Sequence, residues 1–348
     1  MTIMSKRILI TGGAGFIGIN TANYLLSKKY QITLFDNLSR KGSGENLKWL
    51  KKTWGKGFTF VRGDVVTDRN KLANAVASAD AIIHLAAQVA VTTSVEDPYQ
   101  DFLTNTQGTL HMLEAARASQ KKPLVIYSST NKVYGNMDHA EVVLTDTGYR
   151  YKEYQNGIAE RHGVDFHSPY GCSKGAADQY VRDYARIYGL PTVVFRQSCI
   201  YGPHQFGVED QGWVAWFAIS SLLDRPITIY GDGHQVRDVL HVEDLARLYE
   251  QAIANPKKVS GRIYNVGGGS EQAFSVLGTI GRLESAANKK IPYSFSEWRP
   301  GDQKVYISDI DRIKQDIGWE PKISFDKGLK TLVAWAKSEE KLLKRLVG

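Results

Sequence analysis

The chain has 348 residues, long enough for about two domains and a sizeable core. Apolar residues make up 43% and charged residues 23% of it, the usual mix of a folded globular protein, which excludes a disordered or collagen-like chain. The net charge of +8 is spread over separated lysine pairs, which favours a solvated basic surface over a nucleic-acid site.

Cysteine usage and apolar runs bear on the compartment. Only Cys172 and Cys199 are present, which excludes a disulfide framework and predicts a reducing compartment, the cytoplasm by default. The early apolar run Ile8–Ile10 is far shorter than a signal core or a spanning helix, so no membrane association is expected. No histidine has metal-ligand spacing with a cysteine, and no metal is predicted.

Short β-branched runs alternate with longer helical stretches over the first 200 residues, which predicts an α/β fold with a doubly wound parallel sheet of the Rossmann type. The predicted strands are Arg7–Thr11, Gln31–Asp36, Phe58–Val61, Ala81–Leu85, Leu124–Ser128 and Thr192–Arg196. The predicted helices are Phe16–Lys29, Lys71–Ala77 with Thr67 or Asp68 as its cap, Tyr99–Ser119 and Ser173–Tyr188.

The alternation loosens after Tyr201, which predicts a smaller second lobe that covers the cleft. Val236–His241 and Arg262–Val266 are predicted to return to the first sheet as strands around the helix Val242–Ala254. The last predicted helix is Leu329–Leu346. The expected division is therefore 1–197 with about 236–266 as the dinucleotide-binding domain, and about 198–235 with 267–348 as the second lobe.

A glycine turn between the first strand and the first helix predicts a dinucleotide site. Gly12, Gly15 and Gly18 follow a GxxGxxG spacing, and glycine allows a pyrophosphate to approach the backbone. The N–H groups of Phe16 and Ile17, at the positive end of the helix dipole, would face that charge.

An acidic residue supports this prediction. Asp36 ends the second strand, 36 − 18 = 18 residues after the last glycine, near the spacing at which a carboxylate meets the adenosine ribose. This favours NAD, although Arg40 offers a partner for the 2′-phosphate of NADP. Further residues at the predicted strand ends are expected to line the cofactor: Asn37, Ser39, Arg40, Asp64, Val65, Leu85, Ala86, Ala87 and Gln88.

Tyr170 and Lys174 are four residues apart and predict a proton-transfer pair on one helix face. A nearby ammonium and an oxidised nicotinamide would lower the tyrosine pKa from about 10 toward neutrality, so that Tyr170 takes a proton from a substrate hydroxyl. Ser128 and Thr130 follow the fifth strand and place hydroxyl groups at the same crevice.

In this order, the glycine turn, the acid, the Ser/Thr cluster and the Tyr/Lys pair resemble the extended short-chain dehydrogenase/reductase family of nucleotide-sugar epimerases and dehydratases. The resemblance implies that Tyr170 is the acid/base, that Lys174 holds the nicotinamide ribose and that Thr130 hydrogen-bonds the sugar oxygen. It also implies cofactor contacts for Asn105, Ser128, Tyr170, Lys174 and Gln197.

The residues after Thr130 bear on the reaction. Dehydratases of the family usually carry Asp-Glu there, whereas this chain has Asn131 and Lys132 and so lacks the carboxylates for elimination. The resemblance therefore favours an epimerase or a reductase.

Longer segments, including 128–135, 165–180 and 210–214, resemble the members of that family that invert carbon 2 of CDP-activated dideoxy sugars. This implies a bound NAD that removes and returns a hydride through a 2-keto sugar, and a role in lipopolysaccharide O-antigen synthesis. The substrate contacts that it implies are Thr130, Asn131, Cys199, Gln211, Val214, Arg237, Arg299 and Asp302.

Two alternatives stay open at this point. A UDP-hexose 4-epimerase would use the same Tyr/Lys chemistry, whereas a non-catalytic dinucleotide sensor would need the glycine turn alone. The resemblance also implies a homo-oligomer, a dimer or a tetramer, built through the helices Tyr99–Ser119 and Ser173–Tyr188.

Overall fold

Seven parallel strands form the central sheet of this computed structural model, which describes residues 5–299 and 302–347. The strands in chain order are β1 Arg7–Thr11, β2 Gln31–Asp36, β3 Phe58–Arg62, β4 Ala81–His84, β5 Leu124–Thr130, β6 Val142–Thr145, β7 Gly148–Tyr151, β8 Thr192–Gln197, β9 Cys199–Tyr201, β10 Ile227–Tyr230, β11 Val236–His241, β12 Arg262–Val266, β13 Ala273–Ser275, β14 Tyr293–Ser296 and β15 Val305–Tyr306. The sheet order is β12-β8-β5-β4-β1-β2-β3, and every pair in it is parallel.

Helices cover both faces of this sheet. They are α1 Phe16–Ser27, α2 Ser43–Trp54, α3 Arg69–Ser78, α4 Val91–Glu96, α5 Pro98–Phe102, α6 Gly108–Ala118, α7 Ser168–Tyr188, α8 Trp213–Leu222, α9 Val242–Ala254, α10 Pro256–Val259, α11 Val276–Ala287, α12 Asp311–Ile317, α13 Phe325–Ser338 and α14 Glu340–Val347. Within β1, Ile8 and Ile10 pack with α1, α2 and α9, whereas Leu9 packs with α3, α6 and α7. This alternation is the period of two that buries a strand on both faces.

The carboxyl ends of the strands form the crevice. In the sheet, β2 lies on one side of β1 and β4 on the other, so the order in which strands are added reverses at β1. Doubly wound sheets bind ligands at such a switch point. Thr11, Asp36, His84 and Thr130 end four of these strands, so they lie along one edge of the sheet although they are far apart in sequence.

The second lobe has a core of its own. In it, α8, α11 and α13 pack against β10 and around Tyr201. β11 pairs with β9, β13 and β15, and this small sheet connects the lobe to the crevice.

The predicted fold class is confirmed, and so are the six predicted strands, with shifts of up to two residues at their ends. Arg262–Val266 joins the sheet beside β8 as predicted. The prediction that Val236–His241 returns to this sheet is wrong, because it pairs with β9 instead. An apolar pattern shows that a strand is buried but does not identify its partner.

Several helix predictions need correction. The stretch Tyr99–Ser119 is divided into α5, a π-helical turn over Leu103–Gln107 and α6, and the last helix breaks at Glu339. α2 was not predicted. Asp68 stands at the start of α3, but its carboxylate accepts from the amide of Asp64 rather than capping the helix.

No helix in the described ranges is both long and apolar enough to cross a membrane. Residues 1–4, on which the prediction about a signal segment partly rests, lie outside the described ranges.

Candidate active site

The glycine turn opens α1 at the crevice. Gly12 has a φ of +66°, and a Cβ there would lie 2.7 Å from the amide nitrogen of Ala86, so that only glycine fits. A Cβ on Gly18 would lie 2.5 Å from the carbonyl oxygen of Gly12, whereas one on Gly15 would come no closer to it than 3.2 Å. Gly12 and Gly18 therefore shape the turn, and Gly15, which has no side chain to cap the helix, leaves the first amides of α1 open to a ligand.

Asp36 is held against this turn. Its two carboxylate oxygens accept hydrogen bonds from the amides of Ala14 (3.0 Å) and Leu38 (2.7 Å). Burial raises the pKa of the carboxyl group, and these two amides lower it. Each oxygen keeps a second lone pair, so the carboxylate has capacity for ribose hydroxyls.

The predicted adenosine side is partly preorganised. The Asn37 amide donates to the Asp64 carboxylate at 2.7 Å, which joins the loops after β2 and β3. The side chain of Val65 is buried in the core. Ser39 and Arg40 are exposed.

Tyr170 stands in the first turn of α7, which begins five residues earlier than predicted. The backbone amide of Tyr170 donates to Ser94 Oγ at 3.1 Å, and the side chain of Thr130 is close enough to the Tyr170 hydroxyl to lower its pKa. The structure thus brings Thr130 and Tyr170 together.

Without a nicotinamide, the protein chain raises the pKa of Tyr170, so the predicted lowering still depends on the cofactor. Burial is the main cause that raises the pKa of Tyr170 to about 12; the charge of Asp101 acts in the same direction, whereas Thr130 and the charge of Arg40 act against it. Burying a phenolate is costly, and the positive charge of an oxidised nicotinamide would offset that cost.

Lys174 is buried one helical turn after Tyr170. Its ammonium donates to the carbonyl oxygen of Ser128 at 2.6 Å and lies 4.3 Å from the centre of the Tyr127 ring. Burial lowers its pKa to about 7, opposed by the charges of Asp178 and Asp101. The ammonium is therefore fixed on β5.

Asn105 lies in the π-helical turn. Its carbonyl oxygen accepts from the amide of Gln88 at 2.8 Å, and its amide donates to Asp101 (3.1 Å) and to Ser173 Oγ (3.0 Å). Both amide protons are thus used within the protein, and Asn105 connects the loop after β4 to the helix that carries Tyr170. A π-turn is often found at a functional site, because the extra residue redirects a side chain.

The remaining predicted cofactor residues are held by their neighbours. Gln197 donates to the Tyr249 hydroxyl at 2.8 Å, and the Gln88 side chain is bonded to the backbone of Ala90. Leu85, Ala86 and Ala87 are half-buried along the crevice.

The two arginines predicted to bind the substrate are each paired with an aspartate. Arg237 contacts Asp302 at 2.7 Å, and Arg299 contacts Asp210 at 3.0 Å and stacks on the Tyr230 ring at 3.8 Å. The pairing keeps the guanidinium groups in place, and a diphosphate would have to compete with the carboxylates.

Of the other predicted substrate residues, Cys199 accepts a hydrogen bond from the Trp213 indole at 3.5 Å, and Asn131 accepts one from Thr130 at 3.4 Å. Gln211 has a buried side-chain oxygen without a hydrogen-bond partner in the described ranges. The Val214 side chain is buried in the lobe core, which leaves only its backbone for the predicted ligand contact.

Sequence reasoning missed two site residues. Asp101 is buried and accepts a hydrogen bond from Ser173 Oγ; burial raises its pKa, whereas Ser173 and the charge of Lys174 lower it. Lys132 was noted only because no carboxylate stands there, yet burial and the charge of Arg237 lower its pKa. The sequence signal that could have singled out Lys132 is its place as a charged residue two positions after Thr130.

The comparisons with known proteins agree with this geometry. The family model described as GDP-mannose 4,6 dehydratase matches residues 9–332. A protein of Salmonella typhi named CDP-paratose 2-epimerase is 45% identical over 339 residues, which cover 95% of this chain and 99% of that protein. A dTDP-glucose 4,6-dehydratase of Escherichia coli is 31% identical over 98% of this chain and 96% of that protein.

Two solved structures with the same architecture are nucleotide-sugar epimerases. The UDP-glucose 4-epimerase of Thermotoga maritima, solved with UDP-glucose, has a TM-score of 0.82 at 30% identity and covers 96% of this chain and 99% of that one. The UDP-glucose 4-epimerase of Thermus thermophilus, solved with NAD, has a TM-score of 0.79 at 30% identity and covers 95% of this chain and 99% of that one.

Proposed function

This chain belongs to the GDP-mannose 4,6-dehydratase family of extended short-chain dehydrogenases/reductases, and within that family we propose that it is an NAD-dependent CDP-sugar 2-epimerase that interconverts CDP-paratose and CDP-tyvelose. One observation carries the proposal. Thr130 lowers the pKa of Tyr170, Lys174 follows Tyr170 by one helical turn, and the two residues after Thr130, Asn131 and Lys132, carry no carboxyl group, which elimination would need there.

The residues at the crevice fit NAD. Gly12 approaches Ala86 too closely for any side chain, and the start of α1 at Gly15 has amides for a pyrophosphate. Asp36 has lone pairs for both ribose hydroxyls, and its charge disfavours the 2′-phosphate of NADP. When bound, NAD would supply a hydride acceptor for the oxidation of the sugar carbon and a hydride donor for its reduction.

The residues of the chain move the proton. The Tyr170 phenolate takes the proton of the sugar hydroxyl as the carbon is oxidised to a ketone and gives it back after the sugar has presented its other face. Thr130 donates a hydrogen bond to the reacting oxygen, and Lys174 holds its positive charge beside this site through Ser128. Since the pKa of Tyr170 is about 12 in the protein chain by itself, the phenolate forms only when further positive charge is bound.

Relatives named dehydratases exist. A dehydratase reaction is nevertheless disfavoured here, because the carboxylates near the site are already engaged by other residues. Elimination needs an acid and a base beside the sugar. Asp302 is paired with Arg237, and Asp101 is buried behind Tyr170 and bonded to Ser173. The residues that follow Thr130 directly carry no carboxyl group.

The choice of CDP rests on the 45% identity to the Salmonella typhi protein, and Gln211 is consistent with it. Its buried oxygen without a partner in the described ranges is an acceptor. The exocyclic amine of cytosine is a donor, whereas uracil has an acceptor at that position.

The test is to incubate the purified protein, with no added cofactor, with CDP-paratose and separately with UDP-glucose in deuterated water, and to follow the sugar protons by NMR. Inversion at carbon 2 of the CDP-sugar without deuterium at that carbon is the expected result, because a hydride carried within the site does not exchange with solvent. Inversion at carbon 4 of UDP-glucose instead would contradict the CDP-sugar assignment and support the UDP-hexose 4-epimerase.

We further propose a cytoplasmic homo-oligomer. Both cysteines are free, as in a reducing compartment. Large apolar side chains are exposed on two neighbouring elements: Tyr99 and Phe102 on α5, and Tyr180, Ile187 and Tyr188 on α7. Such side chains favour a contact with a second copy through these helices.

A further inference from the structure

Asp101 is a fully buried carboxylate on α5 that is bonded to α7. One of its oxygens accepts a hydrogen bond from the side-chain amide of Asn105 at 3.1 Å, and the other accepts one from Ser173 Oγ. On α7, Ser173 lies between Tyr170 and Lys174. The carboxylate therefore connects α5 and the π-helical turn to the part of α7 that carries the proton-transfer pair.

The side chains of Asp101, Asn105 and Ser173 form a closed ring of hydrogen bonds. The Asn105 amide also donates to Ser173 Oγ at 3.0 Å, and Thr106 Oγ1 donates to the backbone carbonyl oxygen of Ser173 at 3.0 Å. The side-chain oxygen of Asn105 accepts from the backbone amide of Gln88 at 2.8 Å. The ring thus holds the loop after β4 against α7.

The hydrogen-bond partners of Asp101 are neutral. Within residues 5–299 and 302–347, no lysine, arginine or histidine forms an ion pair with it. An asparagine could bond to the same two side chains, because its oxygen accepts and its amide donates, and it would avoid the cost of burying a charge. A carboxylate here costs stability that an amide would not, which indicates that the charge itself has a role.

The charge of Asp101 acts on the tyrosine of the proton-transfer pair. Burial raises the pKa of Tyr170, and the negative charge of Asp101 acts in the same direction. Thr130 at the end of β5 and the charge of Arg40 in the loop after β2 act against it. Removal of the Asp101 charge should therefore lower the pKa of Tyr170.

The same charge acts on the ammonium of the pair. Burial lowers the pKa of Lys174, and the carboxylates of Asp178 and Asp101 act against that effect. Tyr127 on β5 is affected as well, but burial raises its pKa well above the usual value and keeps its hydroxyl neutral. Asp101 therefore acts on both members of the proton-transfer pair.

We propose that Asp101 is a positioning residue for the proton transfer. Through Asn105 and Ser173 it fixes α7 against the loop after β4, and its negative charge balances the positive charge of Lys174. The reaction that it serves rests on the proposed function, whereas the hydrogen bonds do not.

Two substitutions separate the hydrogen bonds of Asp101 from its charge. Asp101→Leu removes both. Asp101→Asn removes the charge and keeps the bonds: its oxygen accepts from Asn105, and its amide donates to Ser173 Oγ, whose proton turns to the carbonyl oxygen of Tyr170 at 3.2 Å. Asp183→Asn, which removes a solvent-accessible carboxylate of α7, is the matched control. Circular dichroism and thermal unfolding check the fold of each variant.

We expect Asp101→Leu to lower kcat about 10- to 100-fold and to change KM by less than about threefold, because misplaced groups impair the reaction more than binding. Asp101→Asn should restore most of kcat, and the rising limb of its pH–rate profile should lie about one pH unit lower, since the loss of a negative charge favours the Tyr170 phenolate. Asp183→Asn should behave as wild type does.

Three outcomes would contradict the proposal. A folded Asp101→Leu with wild-type kcat would exclude a positioning role, and an equal loss of kcat in both variants would show that the hydrogen bonds do not position α7. A rising limb that does not move in Asp101→Asn would show that the charge does not act on Tyr170. This last measurement decides if Asp101→Leu fails to fold.

Amide hydrogen exchange of the peptide that contains Gln88 is a measurement that needs no substrate. Exchange should be faster in Asp101→Leu and unchanged in Asp101→Asn, because only the leucine releases Asn105. If wild type inverts no nucleotide sugar but this pattern is found, the proposed function fails and the connection through Asp101 stands. Equal exchange in wild type and a folded Asp101→Leu would overturn the inference whatever the substrate.

Discussion

The Lys174 ammonium donates a hydrogen bond of 2.6 Å to the carbonyl oxygen of Ser128. Ser128 belongs to the strand that ends in Thr130, whose side chain lowers the pKa of Tyr170. The cation and the proton-transfer group are therefore positioned by one strand end and one helix. Their relative placement does not depend on the second lobe.

Lys174→Met should lower turnover by about 100-fold or more and reduce the amount of NAD that remains bound. The variant loses the charge that favours the Tyr170 phenolate and the donor predicted to hold the nicotinamide ribose. Initial rates and the absorbance of NAD released from the denatured protein measure the two effects. Unchanged turnover would remove Lys174 from the mechanism.

Tyr170→Phe should leave the fold and the NAD content nearly intact while turnover falls by about 100- to 10,000-fold, because only the proton-transfer hydroxyl is removed. Tyr180→Phe, which alters an exposed tyrosine on the same helix, is the matched control and should keep wild-type activity. Epimerisation is followed by NMR. Turnover near the wild-type level in the Tyr170 variant would exclude this residue as the acid/base.

Two glycine variants should separate folding from cofactor binding. Gly12→Ala places a Cβ 2.7 Å from the Ala86 amide nitrogen at a positive φ and should destabilise the fold. Gly15→Ala has a φ of −68° and its closest approach is 3.2 Å, so it should fold and bind NAD less tightly. Thermal unfolding and NAD titration are the measurements, and equal effects of both variants on stability would contradict this distinction.

Acid should destabilise the protein through its buried histidines. Burial lowers the pKa of His84 to about 3 and that of His204 and His241 to about 4, all from 6.5. Below pH 6.5 the unfolded chain takes up these protons and the folded chain does not, so the free energy of unfolding falls as the pH falls toward 4. Each histidine contributes up to about 1.4 kcal/mol per pH unit.

Urea unfolding at several pH values tests whether the free energy of unfolding falls as the pH falls. His84 is bonded to Thr11 (2.6 Å) and Thr109 (3.1 Å), and His84→Asn should reduce the slope of stability against pH by about one proton. A slope that is the same in wild type and variant would show that His84 titrates normally.

Ile187→Asp should dissociate the proposed oligomer, because it places a charge in an exposed apolar surface of α7. Leu144→Asp changes an equally exposed apolar residue on the β6–β7 hairpin and is the control. Light scattering after size exclusion gives the mass. A wild-type monomer, or a variant with unchanged mass, would contradict the proposed interface.

The amino-acid sequence alone was enough to predict the central sheet, the glycine turn and the Tyr170–Lys174 pair. These features follow from local rules: strands buried on both faces form apolar runs, a close backbone approach requires glycine, and residues four apart share a helix face. Gly12, Asp36 and Tyr170 could be predicted for that reason.

The folded chain was needed to show how distant segments meet. The pairing of Val236–His241 with β9 and the bonds of Asn105 to Gln88 and Ser173 join residues far apart in the chain. The raised pKa of Tyr170 is of the same kind, since it results from burial by several elements at once. No local pattern encodes such contacts, because the partner and the degree of burial exist only after the chain has folded.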